Sequence, residues 1–164
     1  MCSFAVDAML GKLALWLRLT GHDTFYRADA DDDELLRIAS SENRILLTSD
    51  SDLHGRAVKS NIRGMLVRGS VDEAVVNVFI EFGISPTVDS TKSRCSKCNG
   101  VLIQLMGTEK ERIRNLVHKK TYDYYETFWL CNDCQSVFFQ GGYWRNILEY
   151  MEKIEVLMRE RRDI

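Results

Sequence analysis

Two cysteine pairs constrain this chain more than any other feature. Cys95-Ser-Lys-Cys98 and Cys131-Asn-Asp-Cys134 are separated by 32 residues. Two close thiolate pairs at this spacing make a closed tetrahedral zinc site, so Cys95, Cys98, Cys131 and Cys134 are the expected ligands of a structural Zn. A closed site has no open coordination position, and chemistry must be sought elsewhere in the chain. Cys2 is left over. Disulfides are the competing reading, but Cys-x-x-Cys spacing suits metal better and nothing marks secretion. The first residues, Met-Cys-Ser-Phe-Ala-Val-Asp7, lack the basic and apolar segments of a secretory leader. No window of about 18 uninterrupted apolar residues exists. A cytoplasmic, membrane-free setting is the expectation.

The first half alternates short apolar runs with helical patterns. Ser3–Val6 reads as a strand ending at Asp7. Leu10, Leu13, Trp16 and Leu17 recur at helical spacing up to Gly21. Asp23–Tyr26 reads as a second strand, and the acidic run 29–34 heads a helix carrying Leu35, Leu36, Ile38 and Ala39. Arg44–Ser49 and Ile62–Arg68 are further strands; Asp52–Ser60 and Val71–Phe82 are helices. This order predicts an α/β fold, a mostly parallel sheet with helices on both faces. Residues 1–85 would form this domain. Pro86 marks a linker, and the cysteine ribbon spans 92–142. Residues 143–164 form a C-terminal helix with Ile147, Leu148, Met151, Ile154, Leu157 and Met158 on one face. That face would dock on the first domain, on a second copy in a homodimer, or on another protein partner.

In parallel sheets, sites lie at the carboxyl ends of the strands. Asp7 and Asp50 fall there, Asp52 follows two residues later, and Asp29, Asp31, Asp32, Asp33 and Glu34 enter the second helix. A single Asp after a strand is more often a turn or a helix cap. The coincidence of Asp7, Asp32 and Asp50 at equivalent topological places carries the joint reading. Repelling carboxylates require a cation or a proton. Hard oxygen ligands select Mg²⁺ or Mn²⁺, which can activate a water against a phosphodiester. His22, His54 and His118 pair with no evident nucleophile.

Net charge is −2, but it is uneven: residues 1–85 carry 9 Lys/Arg against 13 Asp/Glu, and residues 86–164 carry 13 against 11. Nucleic-acid binding must therefore come from local patches. Lys110, Arg112, Arg114, Lys119 and Lys120 precede or flank Tyr122, Tyr124 and Tyr125. Cations beside exposed aromatics suit a single strand. The equal alternative is a ribbon whose tyrosines pack its own core. Lys12, Arg18 and Arg56 are candidates to line a groove beside the acids.

Several stretches carry a resemblance. The segment Asp7–Thr24, then Asp31-Asp-Asp-Glu-Leu-Leu36, Arg44-Ile-Leu-Leu-Thr-Ser-Asp-Ser-Asp-Leu53, Ser93-Arg-Cys-Ser-Lys-Cys-Asn99 and Tyr122-Asp123 resemble the Mut7-C (Mut-seven C-terminal) ribonuclease family. The resemblance runs to about Trp144. It implies a PIN-like nuclease domain followed by a four-cysteine zinc ribbon. It further implies a metal-dependent ribonuclease, acting as an endonuclease on RNA, with ribosomal and transfer RNA as candidate substrates. The metal-binding acids would be Asp7, Asp50, Asp52 and one Asp at the helix head, where Asp32 aligns better than Asp31. Gly141-Gly-Tyr-Trp144 departs from the family's usual Gly-Ser-His-Trp, and Lys12 stands for its basic residue. The alternative is a non-catalytic RNA- or ribosome-associated binding protein. Retained carboxylates oppose it, since a pure binder gains nothing from them near phosphates.

Overall fold

The computed structural model describes residues 2–164. Strands β1 (Phe4–Val6), β2 (Thr24–Phe25), β3 (Ile45–Thr48) and β4 (Gly64–Leu66) form one sheet in the order β2-β1-β3-β4, and every pairing in it is parallel. The strands are short and apolar because both faces are covered. Side chains alternate across the pleat. Phe4, Val6, Ile45 and Leu47 enter one core, while Ala5 and Leu46 enter the other.

Helices α1 (Gly11–Leu19) and α4 (Val71–Phe82) cover the first face; α2 (Asp32–Ser41) and α3 (Ser51–Lys59) cover the second. The α/β class expected from the element order is thus found, with helices on both faces. Local sequence sets the bounds of α4. Ser70 and Glu73 form a reciprocal capping box at its start. Gly83 ends it at φ 65°, in the left-handed region that favours glycine.

The second half holds a three-stranded antiparallel ribbon. Its strands are β5 (Leu102–Met106), β6 (Thr127–Cys131) and β7 (Val137–Phe138), in the order β5-β6-β7. Between β5 and β6 lie a 3₁₀ segment, Gly107–Ile113, and α5 (Lys119–Tyr124). This insertion closes a small core of Leu105, Ile113, Tyr122, Phe128 and Leu130. The alternation along β6 leaves Trp129 on the opposite face, where it pairs in register with Phe138.

Helix α6 (Gly142–Arg162) returns to the first half. Met151, Ile154 and Met158 are buried in the same cluster as Phe4 and Phe79. Trp16 stacks on Tyr150 with ring centroids 4.2 Å apart. Tyr150 Oη donates to Asp72 Oδ1 at 2.7 Å, and Lys153 Nζ pairs with Asp72 at 2.6 Å. The apolar stripe of this helix is therefore largely covered by the chain's own core.

Arg18 joins the two halves. It is only 4 % exposed. Its guanidinium donates to the carbonyls of Thr24 (3.0 Å), Ser96 (3.1 Å) and Tyr26 (3.4 Å). The expectation that Arg18 lines a groove is corrected here: its guanidinium is buried and held by three backbone carbonyls, out of reach of a phosphate in an open groove. Beside it, Asn99 accepts from Thr24 N–H at 2.9 Å and donates to Asp23 Oδ1 at 2.7 Å.

Candidate active site and metal centre

The sheet order places a topological switch between β1 and β3, the crevice where open α/β sheets hold their sites. Asp7 ends β1 and is 7 % exposed. Its Oδ2 accepts from Thr48 Oγ1 at 2.7 Å, and Thr48 Oγ1 in turn accepts from Asp50 N–H at 3.0 Å. One buried hydroxyl therefore ties the ends of β1 and β3. Asp50 caps α3: its Oδ1 accepts from the N–H groups of Asp52 and Leu53. Asp52 stands exposed in the first turn of α3.

The acidic run before α2 sorts itself by partner. Arg27 binds Asp29 (3.1 Å) and Glu34 (2.7 Å). Arg56 of α3 pairs with Asp33. Asp31 is the N-cap of α2 and accepts from Glu34 N–H at 2.8 Å. Asp32 is the one member with no ion-pair or hydrogen-bond partner for its carboxylate among the described residues. Partial burial, then the negative charges of Asp7 and Asp50, hold its carboxyl above the ordinary carboxylate range. These acids do not converge tightly. Among the described residues, the group whose ligand atoms all lie within 4.8 Å of one another is the four cysteines.

Cys95 Sγ lies 3.7 Å from Cys134 Sγ, and Cys98 Sγ lies 3.4 Å from Cys131 Sγ. A disulfide would need about 2.05 Å. A tetrahedron with arms of about 2.3 Å has edges of about 3.8 Å. The four cysteines could thus hold a metal such as zinc. The two turns that present them are built alike. Asn99 and Gln135, the residues after each second cysteine, have φ of 74° and 61°. Their N–H groups reach back to the carbonyls of Cys95 and Cys131, both at 2.8 Å. Cys95 N–H and Cys131 N–H bond to Gly100 O and Ser136 O at 2.8 and 2.9 Å. Such tight turns aim both sulfurs of a pair at one point.

A model described as the Mut7-C RNAse domain matches residues 2–151. The chain belongs to this family. Comparison with curated proteins and with solved structures gives no match. Membership in Mut7-C points to a ribonuclease, with RNA as substrate. The matched span covers the parallel sheet, the ribbon and the first half of α6. No helix among the described residues is long and apolar enough to cross a membrane.

The cations expected to meet RNA are dispersed. In this Mut7-C chain Lys12 stands exposed on the first turn of α1, just after Asp7. Arg56 is exposed but paired with Asp33. In the ribbon, Lys110 Nζ lies 4.3 Å from the Tyr122 ring centroid. The Arg114 guanidinium lies 4.5 Å from the same ring and pairs with Glu111. Arg112, Lys119 and Lys120 are exposed. Tyr122 is buried in the ribbon core, whereas Tyr124 is 78 % exposed. The packing reading therefore describes Tyr122, and Tyr124 is left open to solvent.

Two residues at the carboxylate edge were not singled out by sequence. Thr48 looks like any apolar-strand residue until its partners are known. Arg68 follows β4, is exposed, and donates to Ser51 Oγ at 2.6 Å, between Asp50 and Asp52. A cation at the end of the expected strand 62–68 was the available signal.

Proposed function

We propose that this Mut7-C chain is a metal-dependent, PIN-like endoribonuclease whose site is the edge formed by Asp7, Asp32, Asp50 and Asp52. The observation that carries the reading is Asp32: an unpartnered carboxylate in the field of Asp7 and Asp50, at the switch point of a parallel sheet. Repulsion of this kind is relieved by a cation, and an all-oxygen donor set fits Mg²⁺ or Mn²⁺. When bound, such an ion neutralises phosphate charge and acidifies a water.

The chain's own residues do the rest. Thr48 fixes the rotamer of Asp7 through its hydroxyl. The α3 cap orients Asp50 and leaves its second oxygen without a partner among the described residues. Asp31, used as a cap, is the weaker candidate for a metal ligand. Lys12 and Arg68 would contact phosphates beside the scissile bond, with Arg56 exchanging Asp33 for phosphate. Arg112, Lys119, Lys120 and Tyr124 would meet a strand on the ribbon, and Lys110 and Arg114 add field. Cys95, Cys98, Cys131 and Cys134 would hold structural zinc. In this division, the nuclease domain is 1–85, the ribbon 92–142, and 143–164 braces the nuclease domain.

The test is cleavage of RNA with added Mg²⁺ or Mn²⁺, comparing wild type with Asp7→Asn and Asp50→Asn. Internal cuts by wild type and their loss in both variants are expected. A wild type that cuts nothing, or variants that cut as well, would overturn the assignment.

A further inference from the structure

The sheet order β2-β1-β3 puts a strand on each side of the one that ends at Asp7. From the β3 side, Thr48 holds the Asp7 carboxylate. From the β2 side comes Tyr26, the residue after that strand. Its hydroxyl donates to the carbonyl of Ala8 at 3.0 Å, one peptide beyond Asp7. Tyr26 is half-buried, and it packs against the core that holds Phe4 and Leu13. Its own carbonyl accepts from Arg18 at 3.4 Å, so its backbone and its side chain are both held.

Gly11 is the counterpart of this phenol. It opens α1 with φ −58° and ψ −38°, ordinary helical values that any residue adopts. The backbone therefore does not call for glycine here, and glycine is a poor helix former. A Cβ at this position would sit 2.7 Å from Tyr26 Oη and 3.1 Å from its Cζ. The missing side chain is the room through which the hydroxyl reaches Ala8.

We propose that Tyr26 is a positioning residue of the carboxylate edge, setting the turn that carries Asp7 and Lys12 through the Ala8 carbonyl. This rests on the metal-dependent ribonuclease reading. The turn is short: Asp7 O accepts from Leu10 N–H at 2.9 Å, and α1 starts at Gly11. Consecutive Cα atoms are about 3.8 Å apart, so a displaced Ala8 carbonyl moves Asp7 on one side and the head of α1 on the other. The Asp7 side chain does not cap this turn. Its direction is left to Thr48 and to the backbone beneath it. Metal-binding side chains work only when held within about 0.5 Å of productive geometry. A ring that merely filled space would need neither the bond to Ala8 nor the glycine opposite it.

The experiment titrates Mn²⁺ into the purified chain, reading free Mn²⁺ by electron paramagnetic resonance, beside steady-state cleavage of RNA. Tyr26→Phe keeps the ring and removes the hydroxyl. It should weaken Mn²⁺ binding and lower kcat, each by about tenfold, with KM for RNA within about twofold of wild type. Gly11→Ala displaces the hydroxyl from the other side and should do the same, which keeps the test open if the phenylalanine variant folds poorly. In the double variant the two losses should not multiply, because both act through one hydrogen bond. Variants that lower the urea midpoint but keep wild-type Mn²⁺ affinity and kcat would overturn the proposal and leave Tyr26 a packing residue. So would losses that multiply in the double variant, or a wild type that binds no Mn²⁺. Mn²⁺ binding that depends on Tyr26 in a protein that never cuts RNA would sink the ribonuclease reading alone, so the two failures are separable.

Discussion

Thr48 Oγ1 and Asp7 Oδ2 are 2.7 Å apart across the β1–β3 crevice, and Thr48 is fully buried. The hydroxyl donates to one acid and accepts from the backbone of the next. Thr48→Val keeps the shape and removes both bonds. We expect RNA cleavage to fall about 10- to 100-fold, the usual cost of losing a group that orients a metal-binding side chain. Thr48→Ser should restore most of it. Unchanged cleavage in the valine variant, with circular dichroism showing a native fold, would refute the role.

Asp31 and Asp32 should separate stability from activity. Asp31→Ala removes the α2 cap and should cost about 1 kcal/mol in a urea titration, with cleavage little changed. Asp32→Asn removes an unpartnered charge. Its stability should stay within about 0.5 kcal/mol of wild type while cleavage is lost. The reverse pattern would make Asp31 the ligand.

Arg68→Ala should raise KM more than it lowers kcat, because a phosphate contact acts largely in binding. Arg18→Ala should instead unfold the chain at lower denaturant, since three buried carbonyls lose their donor. Steady-state kinetics and urea midpoints for the pair decide between the two roles. Equal kinetic effects without loss of stability would contradict the burial of Arg18.

Gly100 touches the cysteine cluster. A Cβ there would sit 2.7 Å from both Cys131 Sγ and Asp133 Oδ2. Gly100→Ala should lower zinc content and the thermal midpoint. Gly142→Ala meets nothing within 4 Å and should lose neither. Metal analysis with thermal unfolding checks both, and full zinc content in Gly100→Ala would refute the tight fit.

Asp72 links α4 to α6. Hydrogen bonds from Lys153 and then Tyr150 hold its carboxyl below the usual range. A carboxyl depressed in the folded state stabilises the fold above its unfolded value of about 3.9, and this is lost as pH falls through the folded value. Asp72→Asn should cost on the order of 0.5 kcal/mol at neutral pH, as a largely exposed pair allows. Urea midpoints of wild type and variant should then converge below about pH 4. A gap that stays constant into acid would refute the linkage.

What could be read without coordinates was local. The helix 71–82 was legible because its apolar spacing, with Val75, Val78 and Phe79 on one face, and its stopping glycine are neighbours in sequence. The parallel sheet followed from element order, and with it the places of Asp7 and Asp50. The rest depends on partners far away along the chain. Arg18 looks like a surface cation of an amphipathic helix until the Ser96 carbonyl, 78 residues on, is brought beside it. Thr48 needs Asp7, 41 residues earlier. The strand expected over 62–68 contracts to Gly64–Leu66, the residues in register with Leu46–Thr48 of β3.

Strand β2 is two residues long and forms the outer edge of the parallel sheet. Its exposed flank is met by Asn99, which sits in the left-handed conformation of a cysteine turn, and by Arg18, which grips Ser96 from the same turn. The cysteine turn thus works as a guard on an open strand edge. Demetallation would bare unpaired backbone on β2, and uncovered edges recruit strands from other chains. If the four cysteines hold a metal, its loss would then show first as self-association.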